Sequence, residues 1–261
     1  MLLQQLRLVC IAVLVFLQGL IAQNTSINFD EKLAYTASYN MSGLMTDIAQ
    51  VTMETSAVNT SKSTLLRLKC TAVTYSKWDS FFKIRDIYES YVSPKSLTPY
   101  LYKRDIDEGG YYKFMQYKYN HKTKTISSLK RKKNGKGEFW EDKTNFSFNS
   151  GANDIVTTLY QIRNLNISSA KVGDTAEFKV IFDNKETTIL VNYLGKEKID
   201  TNIGEKDCYK LAFTLKDKDI LKGNNKNLIW LTADTHKIPV FAKFKIPVGN
   251  GELRIDSAKG L

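Results

Sequence analysis

Apolar and polar residues alternate one for one in segment after segment of this chain, and that period of two settles the fold class before any other feature is weighed. Leu33, Tyr35, Ala37, Tyr39 and Met41 alternate with Lys32, Ala34, Thr36, Ser38 and Asn40. Ala176, Phe178, Val180 and Phe182 alternate with Thr175, Glu177 and Lys179. Ile238, Val240, Ala242, Phe244 and Ile246 alternate with Pro239, Lys243 and Lys245, only Phe241 falling out of step. Successive side chains of a strand point to opposite faces, so these segments are strands with one buried face, as in antiparallel sheet. Turn signals such as Ser42-Gly43, Ser93-Pro94, Glu108-Gly109-Gly110, Asn134-Gly135 and Asp183-Asn184 separate them at short intervals. Many short strands joined this way predict a barrel or a strongly curved sheet.

One segment has the helical period instead. From Asp154 to Asn164, the residues Ile155, Leu159 and Ile162 share a stripe, with Val156, Tyr160 and Arg163 beside it and Asn153 able to cap the start. A lone helix in a strand-rich chain covers the open side of a sheet or plugs a barrel mouth. A shorter helical turn is expected near Asp79 to Lys83. No Pro/Gly/Ser-rich linker divides the chain, so residues 23–261 read as one domain. The expected fold is all-β with one main helix: an antiparallel β-barrel or half-open barrel closed at one mouth by that helix.

Residues 1–22 read as a signal peptide. Arg7 precedes the apolar run Leu8 to Leu17, and Ala22 offers a small residue for cleavage before Gln23. The run is short for a spanning helix, which needs about 20 apolar residues. The competing reading is an uncleaved anchor prolonged by Leu20-Ile21. An exported chain can carry disulfides, yet Cys70 shares a face with Leu66, Leu68 and Ala72 while Cys208 lies opposite Tyr209, Leu211 and Phe213. Alternation therefore opposes a bridge between them and favours one buried and one surface thiol.

The formal charge of +11 directs attention, in an exported protein, to phosphorylated lipid, acidic polysaccharide or a membrane surface rather than to nucleic acid. The plain alternative is a solvated, lysine-rich surface. Lys130, Arg131, Lys132 and Lys133 precede Asn134-Gly135 on an expected hairpin tip. Such a cluster suits contact with a membrane surface or keeps a sheet edge from pairing with neighbours. The loop from Lys216 to Lys226 is similar, with Asp217 and Asp219 diluting its charge.

Most chemistry has no residues to carry it. The two histidines, His121 and His236, stand in separate lysine-flanked segments, and no Cys/His spacing offers converging metal ligands. There is no Gly-x-Ser-x-Gly elbow and no glycine-rich phosphate loop. Neither cofactor nor metal is expected. Asp86 with Glu89, or Asp107 with Glu108, could supply the acid and base of glycan cleavage. Against that stands the strand after Gly109-Gly110. Tyr112 and Phe114 fall on one face, Tyr111, Tyr117 and Tyr119 on the other. Aromatics on both faces suit a curved sheet whose concavity holds an amphipathic ligand, or a core on one side and a cover on the other.

Several motifs now form an ordered set. They are Glu31-Lys32-Leu33-Ala34-Tyr35, Phe81 to Tyr91, Arg104 with Glu108-Gly109-Gly110, Asp154 to Arg163, Val172-Gly173-Asp174, Leu194-Gly195-Lys196-Glu197, and Ile229 to Asp234 with Ile238-Pro239-Val240. Together they resemble the exported bacterial family catalogued as domain of unknown function 3108. The resemblance spans nearly all of residues 23–261. It implies the envelope of a Gram-negative bacterium and brings no catalytic residues. Pro239 suits the start of an edge strand. The charged and aromatic matches either form a buried ion-pair network or line a site.

The expected function is non-enzymatic binding of an amphipathic, lipid-like or anionic envelope component, lipid or glycan. Its contacts would come from Arg85, Asp86, Tyr88, Glu108, Tyr112, Phe114, Tyr160, Arg163, Trp230 and Asp234. Arg85 and Arg163 would meet an anionic head group, and the rings would meet its apolar parts. The alternatives are the carboxylate-pair enzyme and a structural or interaction module of the envelope.

Overall fold

A computed structural model describes residues 23–41, 43–133, 137–216, 227–246 and 249–261. The expected leader, the Asn134-Gly135 tip and the loop following Lys216 lie outside the described residues. The alternating segments form β1 (Lys32–Met41), β2 (Leu44–Asn59), β3 (Thr64–Thr74), β4 (Arg85–Val92), β5 (Pro99–Glu108), β6 (Tyr111–Asn120), β7 (Thr125–Lys133) and β8 (Phe139–Ser147). After the helix α1 (Ile155–Ile162) come β9 (Thr175–Phe182), β10 (Lys185–Ile199), β11 (Lys206–Leu215), β12 (Leu228–Thr232), β13 (Pro239–Ile246) and β14 (Gly249–Lys259).

These strands make one 14-stranded sheet in the order β8-β7-β6-β5-β4-β3-β2-β1-β14-β13-β12-β11-β10-β9. Two antiparallel meanders meet where β14 pairs with β1, Lys32 opposite Lys259 and Tyr39 opposite Gly251. Strands β8 and β9 are the edges and share no ladder, so the barrel is half open. Three side-chain and main-chain contacts cross the gap. The backbone N–H and side-chain amide of Asn149 donate to Glu186 at 2.9 and 2.7 Å. Asn153 makes a short parallel bridge to β9, its N–H donating to the Lys179 carbonyl and its carbonyl accepting from Ile181. The third is the charged contact of the β9–β10 turn described below.

Helix α1 packs against β3, β4 and β9. Its Val156 and Tyr160 enter a core with Leu33, Tyr35, Leu68 and Ile126. Ile162 enters a second core with Val191, Leu211, Ile229 and Leu231, and Leu159 touches both. The helix therefore fills one part of the concave side.

Its cap is Asp154 rather than Asn153, because the Asn153 amide is engaged by Gln161 and Gly151 and its backbone by β9. The Asp154 carboxylate accepts from the Thr157 N–H at 2.8 Å, the Thr157 hydroxyl at 2.9 Å and Ser90 Oγ at 2.5 Å. Complete burial holds this carboxyl above its ordinary range. The helix also ends sooner than the stripe suggests, at Ile162. The helical turn expected at Asp79 to Lys83 forms instead as a 3-10 turn at Ser76–Trp78.

Two further expectations are corrected. Pro239 does begin β13, but β13 lies between β12 and β14 rather than at an edge. The proline is tolerated because it is the first strand residue, beside a register shift at Trp230/Leu231. Cys70 and Cys208 are both free, one half-buried and one buried, and neither is a surface thiol. Desolvation pushes each thiol up to about 12, which leaves both inert at neutral pH.

Candidate functional site

The inward phase of β4 to β6 carries charge where apolar residues are the rule. On β5 the buried residues are Pro99, Tyr102, Arg104 and Ile106, and on β6 they are Lys113, Met115, Tyr117 and Tyr119. Buried cations require partners, and these come from the opposite edge of the sheet. Asp183, at the β9–β10 turn with a positive φ, forms ion pairs with Arg104 and with Lys113, the latter at 2.6 Å. The neighbouring Asn184 donates its N–H to the Tyr117 hydroxyl at 3.0 Å, and its side-chain oxygen accepts from the Ser128 hydroxyl at 2.8 Å. The Arg104 guanidinium also lies 4.4 Å from the Phe182 ring centre. A turn from one meander is thus clasped to three strands of the other.

Asp86 sits beside this clasp. Its carboxyl is hydrogen-bonded to Glu108, accepts from the Asp107 N–H at 3.2 Å and lies 3.5 Å from the Tyr88 hydroxyl. Desolvation first, and the neighbouring Glu108 charge second, push Asp86 up to about 7. Tyr88 is raised mainly by burial. The pair that forms is therefore Asp86 with Glu108. Glu89 belongs to the other face, near Arg67 at 3.7 Å, and the pairing of Asp107 with Glu108 is not the one the fold makes.

Of the ten residues singled out in the sequence, the fold brings Asp86, Tyr88 and Glu108 together, separately sets Arg163 over Tyr160, and buries Tyr160 and Trp230 in the first core, against which Tyr88 packs. Arg163 is wholly buried and donates to Glu31 at 2.7 and 2.6 Å, to the His236 carbonyl at 3.1 Å and to the Ser26 carbonyl at 3.2 Å. Four of its five N–H donors are thus used inside the protein, in a buried ion-pair network. Tyr160 lies inside the core beneath that guanidinium. Arg85 anchors the loop before β4 through Asp79, Thr74 and the Ile84 carbonyl and shares no partner with Arg163. Asp234 accepts from the Thr232 hydroxyl and from the N–H groups of His236 and Lys237 at 2.8 to 2.9 Å. It thereby shapes the turn that presents His236 to Arg163.

Strand alternation explains the remaining three. Tyr112 and Phe114 point away from Lys113 and Met115, Tyr112 meeting Phe139 and Phe114 lying under Arg131. Trp230 points away from Ile229 and Leu231, stacks on Phe241 at 4.8 Å and donates its indole N–H to Glu197. A small cleft of about 140 Å³ beside Phe241 and Arg254 lies near it.

An apolar groove lies somewhere else. Ile189, Phe213, Leu215, Ile229, Ala242 and Phe244 line a groove of about 510 Å³. Ile229 belongs to the second core, while Ile189, Phe213 and Ala242 pack against it, so the groove begins where core side chains cease to be covered. Phe244 lies over Gly251, where an added Cβ would come within 2.3 Å of the ring. Through Phe244, Leu228 and Lys243 the groove continues into a cleft of about 460 Å³ carrying Asn40, Lys245, Asn250 and Glu252. A third concavity of about 510 Å³ flanks α1, with the mixed lining of Pro99, His121, Asn153, Gln161, Asn164 and Phe178.

Sequence reasoning missed the groove residues and also Arg104, Lys113 and Asp183 as a unit. The signal for Arg104 and Lys113 was present, since each occupies the apolar phase of its strand. Nothing local pairs them with Asp183, which is 79 residues from Arg104. Among the described residues no group of His, Cys, Asp and Glu could hold a metal ion, and no helix is long and apolar enough to cross a membrane.

A family model described as "Protein of unknown function (DUF3108)" matches residues 34–256. No curated protein matches the sequence. Among solved structures, a β-barrel-like protein of domain of unknown function DUF1849 from Brucella abortus is similar with a TM-score of 0.55 at 7% identity, over 88% of this chain and 97% of that one. A protein of YmcC-like fold from Bacteroides fragilis, described as exported, aligns at 8% identity over 89% of this chain and 96% of that one, with a TM-score of 0.31.

Proposed function

Because the chain belongs to the DUF3108 family, whose description supplies no activity, we propose a function from the cavity: an exported, non-enzymatic protein that holds an amphipathic envelope molecule. The observation that carries this reading is the apolar groove running into a lysine-bearing cleft. An acyl or similar chain lies along Ile189, Phe213, Ile229 and Ala242, and its anionic head lies toward Lys243 and Lys245. Export rests on the composition of residues 1–22.

The magnitudes favour a long apolar tail. Each methylene buried contributes about 0.8 kcal/mol. Micromolar binding requires about 8 kcal/mol net of an association cost of at least 4, so roughly fifteen methylenes are needed. A groove of about 510 Å³ lies within the size range of ligand pockets.

Native mass spectrometry of the chain purified from its own host's envelope tests the idea. A bound mass in the lipid range is expected, and Ala242→Phe, which fills the groove, should remove it while circular dichroism stays unchanged. A clean unliganded mass in every preparation, or a bound mass indifferent to Ala242→Phe, rules the proposal out.

A further inference from the structure

At one end of β6 to β8 a set of aromatic side chains stands in water. Phe81 is 77% exposed and Phe139 65%, with Phe82, Tyr111 and Trp140 also exposed. Exposed rings are ordinary when scattered singly and informative when contiguous. Here they cluster about the Gly109-Gly110 turn and the start of β8, on both faces of the sheet. The Phe82 ring lies against Gly109, within 3.3 Å of where a Cβ would stand, and the Gly109 N–H donates to the Lys83 carbonyl at 2.8 Å. Tyr111 follows that turn, with the Lys132 ammonium 5.9 Å from its ring centre. Lys132 faces Trp140 in the ladder, and Lys130 lies 5.4 Å from the same indole. On the other face Phe139 meets Tyr112 edge-on at 5.5 Å.

The patch is basic as well as aromatic. Lys83, Lys130, Arg131, Lys132, Lys133 and Lys143 outnumber the acids Glu138, Glu141 and Asp142 on the same strands and loop. Of these cations, Arg131 and Lys143 are neutralised by Glu141 at 2.6 and 2.9 Å. Protein interfaces deplete lysine at their cores, whereas here lysine is interleaved with the rings. Strand β8 is exposed along nearly its whole length, yet lysine on an edge opposes pairing with a second copy.

We propose that this end of the barrel docks on an anionic lipid bilayer surface, with the rings at head-group level and the lysines against lipid phosphates. Rings with one polar and one apolar side concentrate at that depth, and each nearby lysine strengthens binding about fivefold. The inference is independent of the groove, because it uses other strands and none of the groove's residues.

Co-sedimentation of the full chain, as its host produces it, with vesicles of phosphatidylglycerol and phosphatidylcholine in equal parts provides the test. Binding is expected to these vesicles, to be weak on phosphatidylcholine alone and to fall as salt is raised. Lys132→Gln with Lys133→Gln should weaken it roughly thirtyfold, and Phe139→Ser with Trp140→Ser should weaken it as well. If the latter pair perturbs the circular dichroism, Phe81→Ser serves as the aromatic variant. Equal binding to neutral vesicles, or binding unmoved by the lysine and aromatic variants, overturns the proposal. So does self-association in sedimentation velocity that the aromatic variants abolish, in a protein that ignores vesicles.

Discussion

The pairing of Glu31 with Arg163 shows how a buried charge becomes structural. Both side chains are inaccessible to water, and the guanidinium joins the N-terminal segment at Ser26 to the β12–β13 turn at His236. Removing one partner leaves the other charged and dry, so Glu31→Gln is expected to cost about 3 to 5 kcal/mol in urea unfolding. Glu31→Leu combined with Arg163→Met should cost less than either single change, because no orphaned charge remains. Asp86 gives a pH signature. Its folded value of about 7 stands above the ordinary 3.8, so between those values the unfolded chain has released a proton that the folded chain keeps. Stability contributed by this group is greatest below pH 4, declines as pH rises through the window, and is fully lost above about 7. Asp86→Asn removes the burden, so the variant should gain on the wild type as urea melts are moved from pH 5 to pH 8. Equal differences at the two pH values would refute this. The charges at both sites were readable as ionic groups in the sequence. Their partners were not, because Glu31 and Arg163 are 132 residues apart and periodicity is silent about such distances.

Among the elements, strands were the legible part and their edges the illegible part. Alternation located β1, β9 and β13 because their apolar and polar residues follow a period of two, although β13 buries both faces at Pro239 to Phe241. It said nothing about β8, whose residues are exposed on both faces, nor about which two strands would lack a neighbour. It located α1 and misjudged its cap, because Asn153 and Asp154 are equally good caps until β9 engages the first. The β9–β10 turn ties one meander to strands β5 to β7 of the other. Asp183→Ala leaves Arg104 and Lys113 without their shared carboxylate. Since Asp183 is itself 46% exposed, the expected cost is reduced to about 2 kcal/mol. Hydrogen exchange should quicken in β9, β10 and β5 to β6 together, and leave the β1–β14 ladder protected. Exchange confined to the turn itself would show that the clasp is not what holds the two meanders face to face.

For the molecule as a whole, a half-open barrel with a helix in its concavity was legible from periodicity, turn spacing and one capped amphipathic segment. The expected binding site was not. Rings and arginines were assigned to the cavity by residue type, whereas strand parity puts Tyr112 and Phe114 on the face opposite Lys113 and Met115, Trp230 is buried in the first core against Phe241, and the plainer, half-buried Ile189, Phe213 and Ala242 line the groove. The two proposals divide the molecule accordingly, with the groove on β10 to β13 and the lipid-facing end on β5 to β8. One feature of the sheet constrains how it can be assembled. The ladder at its centre joins residues near 32 to residues near 259, so the earliest strand to emerge waits for the last one before its outer backbone is satisfied. A chain lacking β14 therefore loses the join between the two half-sheets rather than a fringe of one of them.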